Sequence, residues 1–464
     1  ADAEAAVMYA YGTLNYLEYS RTIFFLGDMA SETMTTKSDA SADNQDLNNW
    51  KVGNFKTNGS LENFFKYAFI GVNRANAVIK KEPDAGFSQE QKDLFLGEAY
   101  FLRAWNYFNL VRNFGLVPLH KSVVETVDQT STALAPDMDA MYDLILSDCR
   151  RAAELLPVYE TPKIGRADRV AAQALAAKAY LYVASAKEHG VKLYRDMHRD
   201  ATVMYDSAAY FAGEVIENQS VYGFESSLLD IYDVEKARGK EHIFIMAMDR
   251  SGSSEGQYSK ISKMFIPYID GATLYLKQGD KDEYIPTHDG WGEYQTTVAF
   301  YNTFDASDKR KTELIVDKVY KADGTLLGEY PGKIPYPFCR KYIDPKFEGD
   351  KTSTRPFLLR FSDVALIYAE AAGPTAKAYE LVNFIRSRAG LGDMKPNLGK
   401  DEFRREILKE RTFELAFEGD HVYDLRRWNR ITIDVPEAAE LSEDQVTFYP
   451  IPQAEINLNG SLRP

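Results

Sequence analysis

The sequence predicts a mainly α-helical protein whose helices are interrupted by a loop-rich insertion, and three observations carry that prediction. Up to about Tyr232, apolar residues recur at spacings of three and four, the period of a helix that buries one face. Between Glu241 and Asp344 the texture changes to short β-like runs separated by Gly, Asp and Pro. Helical periodicity then returns at 361–372, 375–389 and 402–418. With 464 residues, 45% of them hydrophobic, the chain can bury a large core and lies outside the composition of disordered chains.

In order along the chain, the first half offers helices over 3–21, 62–81, 90–113, 137–155, 166–188 and 203–217. The stretch 166–188 is dense in alanine, which favours helix and lets neighbours approach closely, so it should lie buried in a bundle. Leu96-Gly97-Glu98-Ala99-Tyr100 echoes one piece of a tetratricopeptide repeat, but the other consensus positions do not recur at a fixed period. Helix pairs can pack in that manner without a readable repeat, since each needs only an apolar stripe. The expected organisation is a single domain over 1–464, with helical blocks at 1–232 and 355–420 and an irregular tail at 430–464. The insertion at 241–350 should be long loops with little regular structure, its β-like runs falling at 242–248 and 313–320.

Lys and Arg number 55 against 69 Asp and Glu, a net charge of −14, so no face is basic enough to track a phosphate backbone. Cys149 and Cys339 are the only cysteines, which excludes a disulfide scaffold and a Cys-rich zinc site while leaving one long-range bridge open. No apolar run approaches the ~20 residues of a spanning helix. The sequence begins at Ala1 directly before a helix and without an initiator Met, from which we expect a native N-terminus, with any signal peptide or lipid anchor, to precede it.

Chemistry-bearing motifs are weak. Gly252-Ser253-Ser254-Glu255-Gly256 fits G-x-S-x-G, but Asp249 and Arg250 separate it from the preceding apolar run, and its Ser and Gly content suits a flexible loop better than a nucleophile elbow. His120, His189, His198, His242, His288 and His421 are isolated, and none belongs to an H-E-x-x-H pair. Glu402, Glu406, Glu410 and Glu414 line one stripe of a helix, where Arg405, Lys409 and Arg411, three residues from Glu402, Glu406 and Glu414, offset their repulsion; this reads as a solvated or structural face. No phosphate-cradling glycine motif is present. Catalytic residues, metal ligands and cofactors are therefore not expected.

Aromatic residues make up 13% of the chain, and Tyr, the amphipathic one, is the commonest, so many rings must reach the surface. A flat ring with polar neighbours is the mixed lining of a shallow ligand site, since it can lie on the C–H face of a sugar whose hydroxyls bond to nearby side chains. In 282–304, Tyr284, Trp291, Tyr294 and Tyr301 interleave with His288, Asp289 and Gly290, which reads as a loop with exposed rings. Trp50, in Leu47-Asn48-Asn49-Trp50-Lys51, reads likewise, whereas Trp105 and Trp428 sit in apolar helical contexts and read as core.

Leu96-Gly97-Glu98-Ala99-Tyr100-Phe101-Leu102-Arg103-Ala104-Trp105-Asn106-Tyr107-Phe108, followed by Phe114-Gly115-x-Val117-Pro118-Leu119, closely resembles the signature helix and exit turn of the SusD/RagB family. Further similar segments follow in the family's order. They are Gly27-Asp28-Met29-Ala30-Ser31-Glu32, Asn73-Arg74-Ala75-Asn76, Gly165-Arg166-Ala167, Gly290-Trp291-Gly292, Leu359-Arg360-Phe361-Ser362-Asp363, Glu410-Arg411-x-x-Glu414-Leu415, Asp424-Leu425-Arg426-Arg427-Trp428 and Pro450-Ile451-Pro452. The resemblance covers nearly the whole chain, although the family's N-terminal lipobox cysteine is absent from it.

The resemblance implies a superhelix of tetratricopeptide-like helix pairs with an irregular, loop-rich capping subdomain. It also implies a non-catalytic, lipid-anchored protein of the outer-membrane surface in Bacteroidetes, which captures poly- or oligosaccharide and delivers it to a SusC-like TonB-dependent transporter. A RagB-like peptide-import role is the alternative. Glu98, Arg103, Arg360, Glu370, Arg411, Glu414 and Arg426 sit in or near apolar helical contexts, where a charge is buried only if paired, so they should pin helices together. The ligand should instead meet solvent-facing loops. The candidate stacking residues are Trp50, Tyr284, Trp291 and Tyr294, and the hydrogen-bonding candidates Asp28, Glu32, Asp289 and Arg340.

Overall fold

The computed structural model describes residues 2–81, 86–161, 163–217, 220–236 and 239–463. Two compact units divide the chain: Ala1–Thr22 with Asn49–Val221 and Tyr423–Pro464, and Ile23–Asn48 with Tyr222–Val422.

The first unit is built from helices packed on their sequence neighbours: Gly59–Lys81 on Gln89–Phe114, that on Met138–Leu155, then Arg169–Glu188 and Ala201–Glu217. Their starts follow from local chemistry. Ser88 forms a capping box with Gln91, while the Asp137 and Asp168 carboxylates accept from the Ala140 and Ala171 N–H groups. The Gln89–Phe114 helix is buried on every side from Gly97 onward, and two of its buried charges, Glu98 and Arg103, are ion-paired. Arg103 makes a two-pronged bond to Asp148 at 2.7 and 2.8 Å, and Arg166 one to Glu98 at 2.5 and 2.7 Å. The alanine-dense helix is buried as expected, as are Trp105 and Trp428. The 430–464 tail carries short helices at Glu443–Val446 and Gln453–Leu458, and between them the Tyr449 N–H donates to Asn113 O.

The second unit holds the 241–350 insertion, which is more regular than expected. Here β1 (Met34–Thr36) pairs with β5 (Tyr294–Thr296), β2 (His242–Ile245) with β10 (Phe357–Arg360), and β6 (Ile315–Val316) with β9 (Phe338–Cys339). A four-stranded antiparallel sheet runs in the order β4 (Tyr284–His288), β3 (Thr273–Lys277), β7 (Lys318–Tyr320) and β8 (Leu326–Glu329). Its apolar side closes over Leu274, Leu276, Val319, Ile334 and Phe338. The 313–320 run is two strands in two different sheets, a break that continuous hydrophobicity conceals.

Helices Phe361–Ala372, Ala376–Arg388 and Lys400–Glu414 complete this unit around a buried charge network. Arg360 contacts Glu241, Glu414 and Glu418 at 2.9–3.2 Å, Arg388 contacts Glu241 and Glu414, and Arg310 reaches Asp308, Glu410 and Glu414. Of the two readings open for that stripe, Glu410 and Glu414 take the structural one: both are buried and paired. Arg411 bonds to Asp363 instead of Glu414, and only Glu406 keeps its expected partner, Lys409. Both Cys149 and Cys339 are buried free thiols, so the bridge left open by the sequence does not form. Among the described residues no helix is long and apolar enough to cross a membrane.

Candidate functional site

Trp291 stands on the connection from β4 to β5, and that connection is clamped by its backbone. The N–H groups of Gly290, Trp291 and Gly292 donate to Pro267, Lys263 and Ile266 carbonyls at 2.9, 2.7 and 3.0 Å. The approach is so close that a Cβ on Gly290 would lie 1.9 Å from Ile266 O, and Gly292 takes a left-handed φ of +66°. These two positions need glycine, and the indole between them is left 36% exposed.

Side chains beneath the turn fix it further. Asp289 Oδ2 accepts from the Ile269 and Gly271 N–H groups, and His288, its pKa lowered by burial, bonds to Ser262 Oγ and Asp289 O. The Lys260 and Lys263 ammonium groups lie 5.7 and 5.6 Å from the Trp291 ring centroid, a separation at which the ring quadrupole attracts a cation. Lys263 also holds Asp350 at 2.7 Å, and that hydrogen bond keeps the carboxyl below its ordinary pKa. Tyr268, which follows the Pro267 that accepts from Gly290, is 67% exposed. The turn therefore offers an accessible indole, ammonium donors and a carboxylate acceptor on a rigid support, with a second exposed ring, Tyr268, next in sequence to the Pro267 that anchors it.

The other candidates are placed differently. Trp50 is 3% exposed because Tyr449 stacks on it at 6.2 Å and Phe55 packs beside it. Tyr294, alternating inward on β5, is 1% exposed among Phe24, Phe25 and Phe265. The expected exposure of both rings is corrected by aromatic neighbours supplied from elsewhere in the chain. Asp28 is fully buried, with Oδ2 accepting from the Gly419 N–H at 2.8 Å, and Glu32 bonds to His421 Nε2 at 2.7 Å. Asp289 is buried as support for the turn and not displayed to solvent. Tyr284, half-buried with its ring edge-on to Tyr320, and Arg340, 7% exposed, lie toward the opposite end of β4 from Trp291. Tyr301 is half-buried and Phe304 buried.

Sequence reasoning missed Tyr268, Lys260 and Lys263. Ile266-Pro267-Tyr268-Ile269-Asp270-Gly271 did carry a signal, an aromatic held between a proline and a glycine turn. The G-x-S-x-G segment is a turn in which Ser254 O accepts from the Gln257 and Tyr258 N–H groups, and no helix starts directly from it, the next beginning at Ile261. Among the described residues no group of His, Cys, Asp and Glu is arranged to hold a metal.

Comparison with known proteins accounts for the motif order. The profile described as "SusD family" matches residues 317–443, and that described as "Starch-binding associating with outer membrane" matches 7–181. The chain belongs to the SusD/RagB family. A relative of similar length, SusD-like protein P2 of Formosa agariphila, is 26% identical over 100% of this chain and 92% of its own. Among solved structures of this SusD fold, a laminarin binding SusD-like protein superposes with a TM-score of 0.79 at 24% identity, covering 99% and 97% of the two chains. Surface glycan-binding protein A from Bacteroides thetaiotaomicron, in complex with laminarihexaose, gives 0.76 at 19% identity over 100% and 98%. The mainly α, SusD-like fold class is thereby established, and the family's charged signature residues Glu98, Arg103, Arg360, Arg411 and Glu414 are buried and ion-paired as expected, whereas Arg426 is buried with a backbone acceptor, Arg112 O, and no carboxylate in ion-pairing distance among the described residues.

Proposed function

We propose that this protein captures glycans, without altering them chemically, on the surface formed by Trp291 and Tyr268. The observation that carries the reading is the clamped, one-third-exposed indole with two lysines beside it. A sugar's C–H face lies on the ring, its hydroxyls accept from the ammonium groups and donate to Asp350, and no rotamer freedom of the backbone support is lost on binding. Structural neighbours named for laminarin and glycan binding support the ligand class, and a family description that reads starch-binding and outer-membrane-associated supports the location.

On this reading the protein is held at the outer membrane by a lipid anchor and passes its glycan to a SusC-like TonB-dependent transporter. Local affinity is modest, because a shallow open surface buries little area and the transporter supplies the second half of the enclosure. Affinity-gel electrophoresis against laminarin, starch and other polysaccharides tests the capture step. Retardation by at least one glycan, lost in Trp291→Ala, is expected; equal retardation of the variant would remove Trp291 from the site. Release of reducing sugar from a bound glycan would overturn the non-catalytic reading.

A further inference from the structure

The second unit contains a cavity of about 540 Å³ beside the β3–β4 turn, lined by an Arg340 that is set differently from four other buried arginines of that unit. Arg310, Arg360, Arg388 and Arg411 each meet carboxylates. Arg340, 7% exposed, has no carboxylate in ion-pairing distance among the described residues; it donates to Lys277 O and Gln278 Oε1 at 2.5 and 2.6 Å. Its remaining N–H donors belong to a side chain that lines the cavity. Burial without an ion pair pulls its pKa down to about 10, with Glu313 the one charge acting against that.

Glu313 lines the same cavity, and its carboxylate lies against the turn, 3.3 Å from where a Cβ on Gly279 would sit. It is too far from Arg340 to form a salt bridge, so donor and acceptor flank a space instead of closing on each other. Asp280 adds a second acceptor at the rim, while Leu229, Ile285 and Ile343 form apolar wall. Asp230, Asp233, Asp280, Glu283 and Glu313 outnumber Lys281 and Arg340 around the cavity and disfavour an anion. Paired donors and acceptors over apolar surface suit a neutral, polyhydroxylated ring.

We infer that this cavity is a second saccharide subsite, taking a neutral sugar residue between Arg340 and Glu313, apart from the Trp291 surface. The two places stand toward opposite ends of β4, about 13 Å of strand apart. The inference rests on the glycan-capture reading, and the test separates the two. Isothermal titration uses laminarihexaose and maltohexaose with the whole chain, the variants Trp291→Ala, Leu229→Trp (which fills the cavity from its wall) and Glu313→Gln, and circular dichroism as a folding control. Two ligands per chain are expected for at least one of these glucans. Trp291→Ala removes one binding event, Leu229→Trp removes the other, and Glu313→Gln weakens that second event about tenfold, as for one lost hydrogen bond to a charged group. A single binding event abolished by Trp291→Ala and untouched by Leu229→Trp and Glu313→Gln overturns the subsite and leaves capture at Trp291 standing. Binding that survives Trp291→Ala and disappears in Leu229→Trp keeps the subsite and overturns the Trp291 surface. No binding of either glucan by the wild type counts against both.

Discussion

Trp50 and Trp291 sit in similarly polar, turn-prone sequence, yet one ring is 3% exposed and the other 36%. What separates them is the partner each ring meets. Trp50 finds Tyr449 and Phe55 within its own unit, and the three contacts among these rings leave the indole no face for a ligand. Trp291 meets two lysine ammonium groups and no covering ring among the described residues, so about a third of its surface stays in solvent. Flanking polarity thus reports where the backbone runs, not where the ring goes. The same division holds for charges in the second unit: Glu414 is enclosed by arginines, whereas Asp350 keeps a single lysine at the surface.

The largest effect should come from breaking the enclosed charge. Burial alone would raise the Glu414 carboxyl, but Arg388, Arg360 and Arg310 hold it well below the usual range. Glu414→Gln leaves those guanidiniums short of a counter-charge in a dry interior and should cost about 3–5 kcal/mol in chemical denaturation. A loss below about 1 kcal/mol would mean that water reaches the network. Trp50→Ala should cost a similar amount, about 3 kcal/mol, through the cavity it leaves against Tyr449 and Phe55. Glycan retardation by the folded remainder should be unchanged; lost binding in a folded Trp50→Ala protein would place that ring back in the ligand site and erase the contrast.

Asp28 sharpens the comparison from the side of pH. Burial pushes its carboxyl up to about 8, opposed by the Gly419 N–H and His421 and reinforced by Asp420 and Glu418. Between about pH 4 and pH 8 the folded protein holds a proton that the unfolded chain has released, so stability from this group falls as pH rises, by at most about 1.4 kcal/mol per unit. Thermal unfolding of Asp28→Asn should therefore show a shallower decline over that range than the wild type. Identical slopes would show that Asp28 is ionised in the folded state.

The helices, the alanine-rich core helix and the buried Trp105 and Trp428 were legible because each depends on local period and composition. The charged signature residues were legible because an isolated charge in an apolar stripe must be paired, although the identity of the partner was not: Arg411 takes Asp363 from another helix in preference to a neighbour on its own. The four-stranded sheet was hidden by strands of three to five residues, too short for alternation to stand out from loop. Burial of Tyr294 and Asp28 was not legible, since Phe265 and Gly419, which cover them, lie far along the chain and no local pattern connects them. At the site, Gly290-Trp291-Gly292 was readable as a turn displaying a ring, while Tyr268 and Lys263 join it only through the backbone bonds to Gly290 and Trp291.

The smallest effect on stability should accompany the largest on binding. Trp291→Ala removes a ring that is one-third exposed and whose backbone N–H bonds do not depend on the side chain, so its cost should stay within about 0.5 kcal/mol. Retardation by the glycan that binds the wild type should be lost. Trp291→Phe separates the two contributions of the ring: it keeps a flat apolar face while weakening the cation attraction that orients Lys260 and Lys263. Partial retention in Trp291→Phe, with loss in Trp291→Ala, is the outcome expected if stacking dominates. Equal loss in both would mean that the lysines, held in place by the indole, are the groups that recognise the sugar, and Lys263→Met should then abolish binding with Trp291 intact.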